Sequence, residues 1–96
     1  MTTTHHYDIL IIGSGTAGLT LALHMANDVK VAVISKGQLE EGASLYAQGG
    51  ISVVLDKTDS IQSHIDDTLR AGAGLCNEKS VRFTVEHARE NIEWLI

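Results

Sequence analysis

The amino-terminal third of the chain contains two short apolar runs separated by a longer apolar segment. Residues 7–12 and 29–34 are rich in β-branched and other apolar side chains, a pattern typical of strands buried on both faces of a parallel sheet. Residues 15–27 are good helix formers and are apolar nearly all round, which predicts a largely buried helix. This order predicts a β-α-β unit with two adjacent parallel strands and a right-handed crossover.

A loop rich in glycine follows the second predicted strand. Residues 35–50 contain four glycines, which prevents a regular assignment, although residues 44–48 can form a helix. Residues 51–55 resemble a brief strand, and residues 56–60 are predicted to form a polar turn. Because long loops in compact domains commonly carry function, we expect residues 35–50 to contribute to a site.

Apolar residues at helical spacing mark the carboxyl-terminal part of the chain. Asp59 or Ser60 is predicted to cap a helix that runs through Arg70, and residues 71–74 end it. A final helix capped by Asn77 is predicted to carry an apolar stripe of Val81, Val85, Ala88, Ile92 and Leu95. Because apolar side chains continue to residue 96, we expect residues 1–96 to be an incomplete domain that is truncated there.

Composition and charge restrict the class of protein. The 96 residues are 44% hydrophobic and 20% charged, which fits one small globular domain and excludes a disordered tail. Seven Lys and Arg against 12 Asp and Glu leave a formal charge of -5 without a basic cluster, which argues against nucleic-acid binding. The single Cys76 and the lack of a signal peptide or membrane span predict a cytoplasmic protein.

The turn after the first predicted strand carries the strongest functional motif. It is a G-x-G-x-x-G sequence, placed between a strand and a helix, where it is typical of a Rossmann-like α/β fold that binds a dinucleotide. Gly13 permits the tight turn, Gly15 lets main chain approach a diphosphate, and Gly18 allows close packing of helix on strand. A merely structural turn is the alternative, but it needs only one glycine.

The tip of the second predicted strand departs from the usual motif. A carboxylate that binds the ribose is expected ~20 residues after the glycines, but the tip here reads Ser35-Lys36. On the residues alone, Lys36 leaves an NADP site open, because its cation suits a 2′-phosphate, and an ordinary surface lysine is equally compatible.

Longer stretches of the chain resemble the amino-terminal part of the L-aspartate oxidase family, flavoproteins related to succinate dehydrogenase and fumarate reductase. The resemblance is carried by residues 13–18, 35–37 and above all 44–51, and it continues through residues 59–61, 71–74 and 93–96. In that family Ser-Lys replaces the acidic ribose clamp, so the resemblance implies FAD and not NADP.

The resemblance also implies which residues would hold the cofactor. Residues 14–17 would bind the diphosphate, Lys36 would border the adenosine half, and residues 43–50 would line the flavin. Ala43 stands where the succinate dehydrogenase branch has a histidine bonded to the flavin, so FAD would be noncovalent. With the motif glycines, the predicted cofactor-binding set is Gly13, Ser14, Gly15, Thr16, Ala17, Gly18, Lys36, Ala43, Ser44, Leu45, Tyr46, Ala47, Gln48, Gly49 and Gly50.

By the same resemblance, the whole enzyme would oxidise L-aspartate to iminoaspartate for NAD biosynthesis. Oxygen or fumarate would accept the electrons, and quinolinate synthase would act downstream. We expect no catalytic residue and no metal site within residues 1–96, and the chain alone to be inactive; His64, Asp67 and Cys76 are interpreted as structural or surface residues. A fumarate reductase or succinate dehydrogenase flavoprotein and a nonenzymatic nucleotide-binding module are the alternatives.

Overall fold

Apart from a strand predicted over residues 51–55, strands and helices follow one another in the order that the sequence predicts, within two units, Met1–Gly49 and Gly50–Ile96. The computed structural model describes all of residues 1–96. The first unit contains β1 (Ile9–Ile12), α1 (Thr16–Met25), β2 (Val31–Ile34) and α2 (Ala43–Tyr46). The second contains α3 (Ile61–Ala71) and α4 (Glu78–Leu95).

Strands β1 and β2 form a two-stranded parallel sheet. Their register pairs Ile9 with Val31 and continues to Ile12 with Ile34. At the amino ends of the strands, the main-chain N–H of Asp8 donates to the carbonyl of Lys30 at 2.9 Å, and the Lys30 N–H donates to Asp8 Oδ2 at 2.8 Å. Helix α1 contacts both strands. The predicted β-α-β unit with adjacent parallel strands is therefore confirmed.

The burial predicted for this unit is wrong. Only Ile11 of β1 is buried, at 8% exposure, whereas Ile12 is 81% exposed and Leu10 58% exposed. Helix α1 has no buried residue, and its Leu23 is 62% exposed. Alternate strand residues face opposite sides of the sheet, and within this chain only the side that faces α1 is covered. Ile11 faces α1 close to Gly18, and the other face of β1 carries exposed side chains.

The strand predicted over residues 51–55 does not form. The sheet contains β1 and β2 alone, so residues 51–55 have no ladder partner for their N–H and C=O groups. An apolar, β-branched run becomes a strand only where a neighbouring strand accepts its hydrogen bonds. The run still buries one side chain, Val54.

The second unit is a helix pair that begins at its predicted caps. Ser60 Oγ accepts the N–H of Ser63 at 3.0 Å, and Asn77 Oδ1 accepts the N–H of Ser80 at 3.0 Å. Helix α3 packs against α4. The fully buried Ile65 of α3 and the buried Val85 of α4 form its core, which confirms an amphipathic face on each helix, although Leu95 at the end of the predicted stripe is 56% exposed.

Glycine-containing turn geometry ends α3, as predicted. Ala73 and Gly74 adopt left-handed backbone conformations, with φ of 49° and 86°. Such residues terminate helices because they turn the chain out of the helical path. None of the helices combines the length and the apolar character needed to cross a membrane.

Candidate nucleotide-binding site

The turn between β1 and α1 lies at the carboxyl edge of the parallel sheet. Gly13 has φ of 113°, a conformation that side-chain-bearing residues rarely adopt. Its N–H donates to the carbonyl of Ile34 at 2.9 Å, which continues the strand pairing by one bond. The turn therefore starts at a fixed point on the sheet edge, where ligands bind in open α/β sheets.

The second and third glycines of the motif have different surroundings. A Cβ added to Gly18 would overlap the main-chain carbonyl oxygen of Gly13 and lie 3.3 Å from Ile11 Cγ2. A Cβ added to Gly15 would meet no heavy atom within 4 Å. Gly18 is therefore required by the packing of helix on strand, whereas the absent side chain of Gly15 leaves open space above the main chain.

The start of α1 is electrostatically suited to an anion. Gly15 is its N-cap residue and no side chain caps the helix, so the N–H groups of the first turn have no partner within the helix. The first turn also contains no acidic residue. Uncapped N–H groups and the helix dipole place a partial positive charge of ~0.5 at this point. The residues present therefore fit a dinucleotide diphosphate.

A pair of serines joins the two strand ends beneath the turn. Ser14 is buried, and its Oγ donates to Ser35 Oγ at 3.0 Å; Ser35 Oγ in turn donates to the carbonyl of Gln38 at 3.3 Å. Ser35 and Gln38 lie in the loop that the sequence predicts to be functional, but neither is among the predicted cofactor-binding residues. The parallel register was a usable signal for Ser35, because Ser14 and Ser35 each follow the end of one of two paired strands.

Lys36 follows directly on this serine pair. Lys36 is exposed, and it takes part in none of the four ion pairs of the structure. Its position two residues after the end of β2 puts it on the same sheet edge as the glycine turn, as the sequence predicted.

Helix α2 is fastened to the start of α1 by a hydrogen bond between hydroxyls. Thr16 Oγ1 donates to Ser44 Oγ at 2.6 Å, across 28 positions of the sequence. Tyr46 OH donates to both carboxylate oxygens of Glu41, at 2.9 and 3.0 Å. The structure thus brings Ser44 to the glycine turn, and it adds Glu41, which lies in the predicted functional loop but is not among the predicted cofactor-binding residues.

The remaining predicted residues differ in placement. Ala43 and Leu45 belong to α2, and Leu45 is 56% exposed. The helix ends as Ala47 becomes extended, with φ of -64° and ψ of 132°, and Gln48 and Gly49 follow as exposed residues. The predicted helix over residues 44–48 is therefore confirmed but starts and ends earlier. Gly50 is the first residue of the second unit.

Two open surface clefts lie in the second unit and contain none of the predicted residues. One surrounds Arg82 near the start of α4, and the other is an apolar groove along α3 and α4 that includes His64. Arg82 already contacts Glu78, Glu86 and Gln62. Neither cleft is lined by glycine main chain like that of the turn between β1 and α1.

Comparison with known proteins matches most of the chain to a family model. Residues 8–96 match the family described as FAD binding domain. The L-aspartate oxidase of Pseudomonas aeruginosa is 55% identical over 96 residues, which are 100% of this chain and 18% of that protein. The L-aspartate oxidase of Yersinia pestis is 61% identical over 92 residues, which are 96% of this chain and 17% of that protein.

A solved structure has a similar fold. FrdA of E. coli quinol fumarate reductase superposes with a TM-score of 0.82 at 32% identity, covering 98% of this chain and 17% of that one. This chain therefore spans less than a fifth of the length of each of these proteins.

Proposed function

Because this chain belongs to the FAD-binding domain family, we propose that it is the amino-terminal part of an L-aspartate oxidase that binds FAD without a covalent bond. The identity to proteins of that name, 55% and 61%, exceeds the 32% to fumarate reductase. The observation that carries the proposal is the uncapped start of α1 beside the open main chain of Gly15. Together they offer unpaired N–H donors to an incoming diphosphate.

Each half of the cofactor has its own set of residues in this proposal. The main chain of residues 14–17 binds the diphosphate, Lys36 borders the adenosine half, and residues 43–49 line the flavin; Gly50 stays a prediction from the sequence. When bound, FAD supplies the two-electron chemistry that converts L-aspartate to iminoaspartate, with oxygen or fumarate as the final acceptor.

Ala43 supports the noncovalent assignment. Its methyl side chain has no nucleophilic atom, so residue 43 cannot form a bond to a flavin. Retention of the cofactor then depends on noncovalent contacts such as those of the glycine turn. Treatment of the holoenzyme with acid or chaotrope should release all of the flavin into the supernatant.

The biological setting is also proposed. Product iminoaspartate feeds NAD biosynthesis, with quinolinate synthase downstream, in the cytoplasm. The lone Cys76, which has no disulfide partner, is compatible with a reducing compartment. No residue of this chain is assigned to the substrate, and the groups that bind L-aspartate belong to other parts of the full-length enzyme.

A matched pair of glycine substitutions in the full-length protein tests the FAD site. Gly15→Ala should change the stability of the apoprotein by less than about 1 kcal/mol in either direction, because the new Cβ meets no atom and the entropy lost by the unfolded chain is offset by the weaker N-cap preference of alanine. It should raise the Kd for FAD at least ~10-fold, because the methyl group occupies the path of the diphosphate. Gly18→Ala should instead destabilise the apoprotein by about 1–3 kcal/mol, because its Cβ meets main chain.

Flavin fluorescence titration gives the Kd, and thermal unfolding followed by circular dichroism gives the stability. Equal FAD affinity in the Gly15→Ala variant and the unaltered protein would contradict the assignment of the diphosphate site. A fumarate reductase activity is the second candidate, favoured by the fold shared with FrdA. Reduction of the flavin by L-aspartate but not by succinate separates the two.

A further inference from the structure

Helix α2 has few means of holding its position by itself. It is four residues long, has no buried residue and begins at Gly42 without a side-chain cap. Isolated helices of this length are unstable in water, because the cost of the first turn is not recovered. Leu45 and Tyr46 are 56% and 64% exposed, so apolar packing contributes little. Within residues 1–96, the placement of α2 therefore depends on its polar contacts.

One of these contacts reaches the diphosphate-binding turn. The hydrogen bond from Thr16 Oγ1 to Ser44 Oγ is short, at 2.6 Å, and joins the first residue of α1 to the second residue of α2. The bond between Tyr46 and Glu41 closes only a local loop of five positions. The Thr16–Ser44 bond is thus the contact that sets α2 relative to the N–H groups of α1.

We propose that the Thr16–Ser44 hydrogen bond positions α2 for the flavin half of FAD while the diphosphate is held at the adjacent turn. This proposal rests on the proposed function. The two hydroxyls then act as one unit, and each contributes to FAD affinity only while the other is present. Preplacing α2 removes the cost of ordering residues 43–49 when the cofactor arrives. ADP, which lacks the flavin, should be insensitive to Ser44.

A double-mutant cycle in the full-length protein tests the pairing. The variants are Thr16→Val, Ser44→Ala and the double variant, with Thr16→Ser as the conservative replacement. Each single substitution should raise the Kd for FAD about 3- to 10-fold, as expected for loss of one hydrogen bond. The Kd of the double variant for FAD should be no higher than that of the weaker-binding single variant. Thr16→Ser should retain the affinity of the unaltered protein.

Two further measurements separate positioning from a general loss of structure. Ser44→Ala should change the Kd for ADP less than ~2-fold, while it raises the Kd for FAD about 3- to 10-fold. Thr20→Val, which removes a hydroxyl from the same helix with no hydrogen bond to α2, should leave both affinities unchanged. Stopped-flow flavin fluorescence should show slower FAD association in Ser44→Ala, because α2 is no longer held in place.

The outcomes are distinct. Losses that multiply in the double variant, or equal losses for ADP and FAD in Ser44→Ala, would overturn the positioning role and leave FAD binding itself intact. Failure of the unaltered protein to bind FAD would overturn the proposed function and this proposal with it. If Thr16→Val does not fold, the FAD and ADP affinities of Ser44→Ala and Thr16→Ser decide the question.

Discussion

The three longer helices of the chain begin in two different ways. Helix α3 is capped at its start by the side chain of Ser60, and α4 by that of Asn77. Their apolar faces bury Ile65 and Val85. Helix α1 begins at Gly15 with no side-chain cap, and it buries no residue. In a helix whose role is packing, a capping side chain accepts hydrogen bonds from the first N–H groups. In a helix that binds an anionic ligand, those N–H groups remain available to the ligand.

The largest expected effect concerns the core of the second unit. Ile65→Ala should lower the free energy of unfolding of the 96-residue chain by about 2–5 kcal/mol, because Ile65 is fully buried. Leu10→Ala in the first unit is the matched control, and it should cost about 0.5 kcal/mol or less because Leu10 is 58% exposed. Urea denaturation followed by circular dichroism measures both. Equal losses would erase the contrast between the units.

A second substitution adds a side-chain cap to the uncapped start of α1. Gly15→Asp places a capping carboxylate at the start of α1 and should raise apoprotein stability by a few tenths of a kcal/mol. The same charge repels a diphosphate, so the Kd for FAD should rise ~100-fold or more. Gly15→Asn is the control, because asparagine caps the helix without adding a charge. It should raise the Kd for FAD only about as much as Gly15→Ala does. FAD affinity that is equal in the Asp and Asn variants would refute an anion at this helix start.

A third substitution removes the side-chain cap of α4. Asn77→Ala removes the acceptor for the N–H of Ser80 and should lower the free energy of unfolding by about 1 kcal/mol. Asn77→Gly should cost less, because glycine tolerates the N-cap conformation. FAD affinity should stay the same in both variants. A tenfold change in that affinity would show that the capped and uncapped helix starts do not have separate roles.

The smallest effect involves Asp56 in the polar turn. Thr58 Oγ1–H, and secondly its N–H, donate to Asp56 Oδ1 at 2.7 Å, and these bonds lower the pKa of the carboxyl below its ordinary value of 3.8. A lowered pKa stabilises the folded chain above that value, and the contribution is lost as pH falls through the folded-state pKa.

Thr58→Val removes the larger cause and should raise the Asp56 pKa part of the way towards 3.8. Thr58→Ser keeps the hydroxyl and should leave the pKa low. Carbon-13 NMR titration of the Asp56 carboxyl resolves the difference, and an unchanged pKa in the Thr58→Val variant is the contrary result.

Local signals in the sequence predicted much of this structure. Ser60, Asn77, Gly13 and Gly18 act through their own backbone and near neighbours, so their structural roles could be assigned from spacing. The β-α-β unit was predictable because apolar runs separated by a helix leave few ways to pair.

Features that depend on distant partners could not be predicted in the same way. Residues 51–55 have strand-like composition but no neighbouring strand, and β1 is apolar on both faces although only one is covered. The Thr16–Ser44 bond joins residues 28 positions apart through a loop whose path the residue pattern does not specify. Glu41 enters the site only because that loop brings it to Tyr46.

The reciprocal bonds between Asp8 and Lys30 determine where the small sheet can fray. They join the amino ends of both strands, while main-chain pairing at the carboxyl ends finishes at the bond from Gly13 to Ile34, beyond which the strand ends are joined only by the hydroxyls of Ser14 and Ser35. Opening should therefore begin at the glycine turn and travel backwards, so that the Gly13 amide exchanges its hydrogen faster than that of Asp8. A ligand bound at the glycine turn would slow amide hydrogen exchange at the carboxyl end of the sheet, which opens most readily when the turn has no ligand.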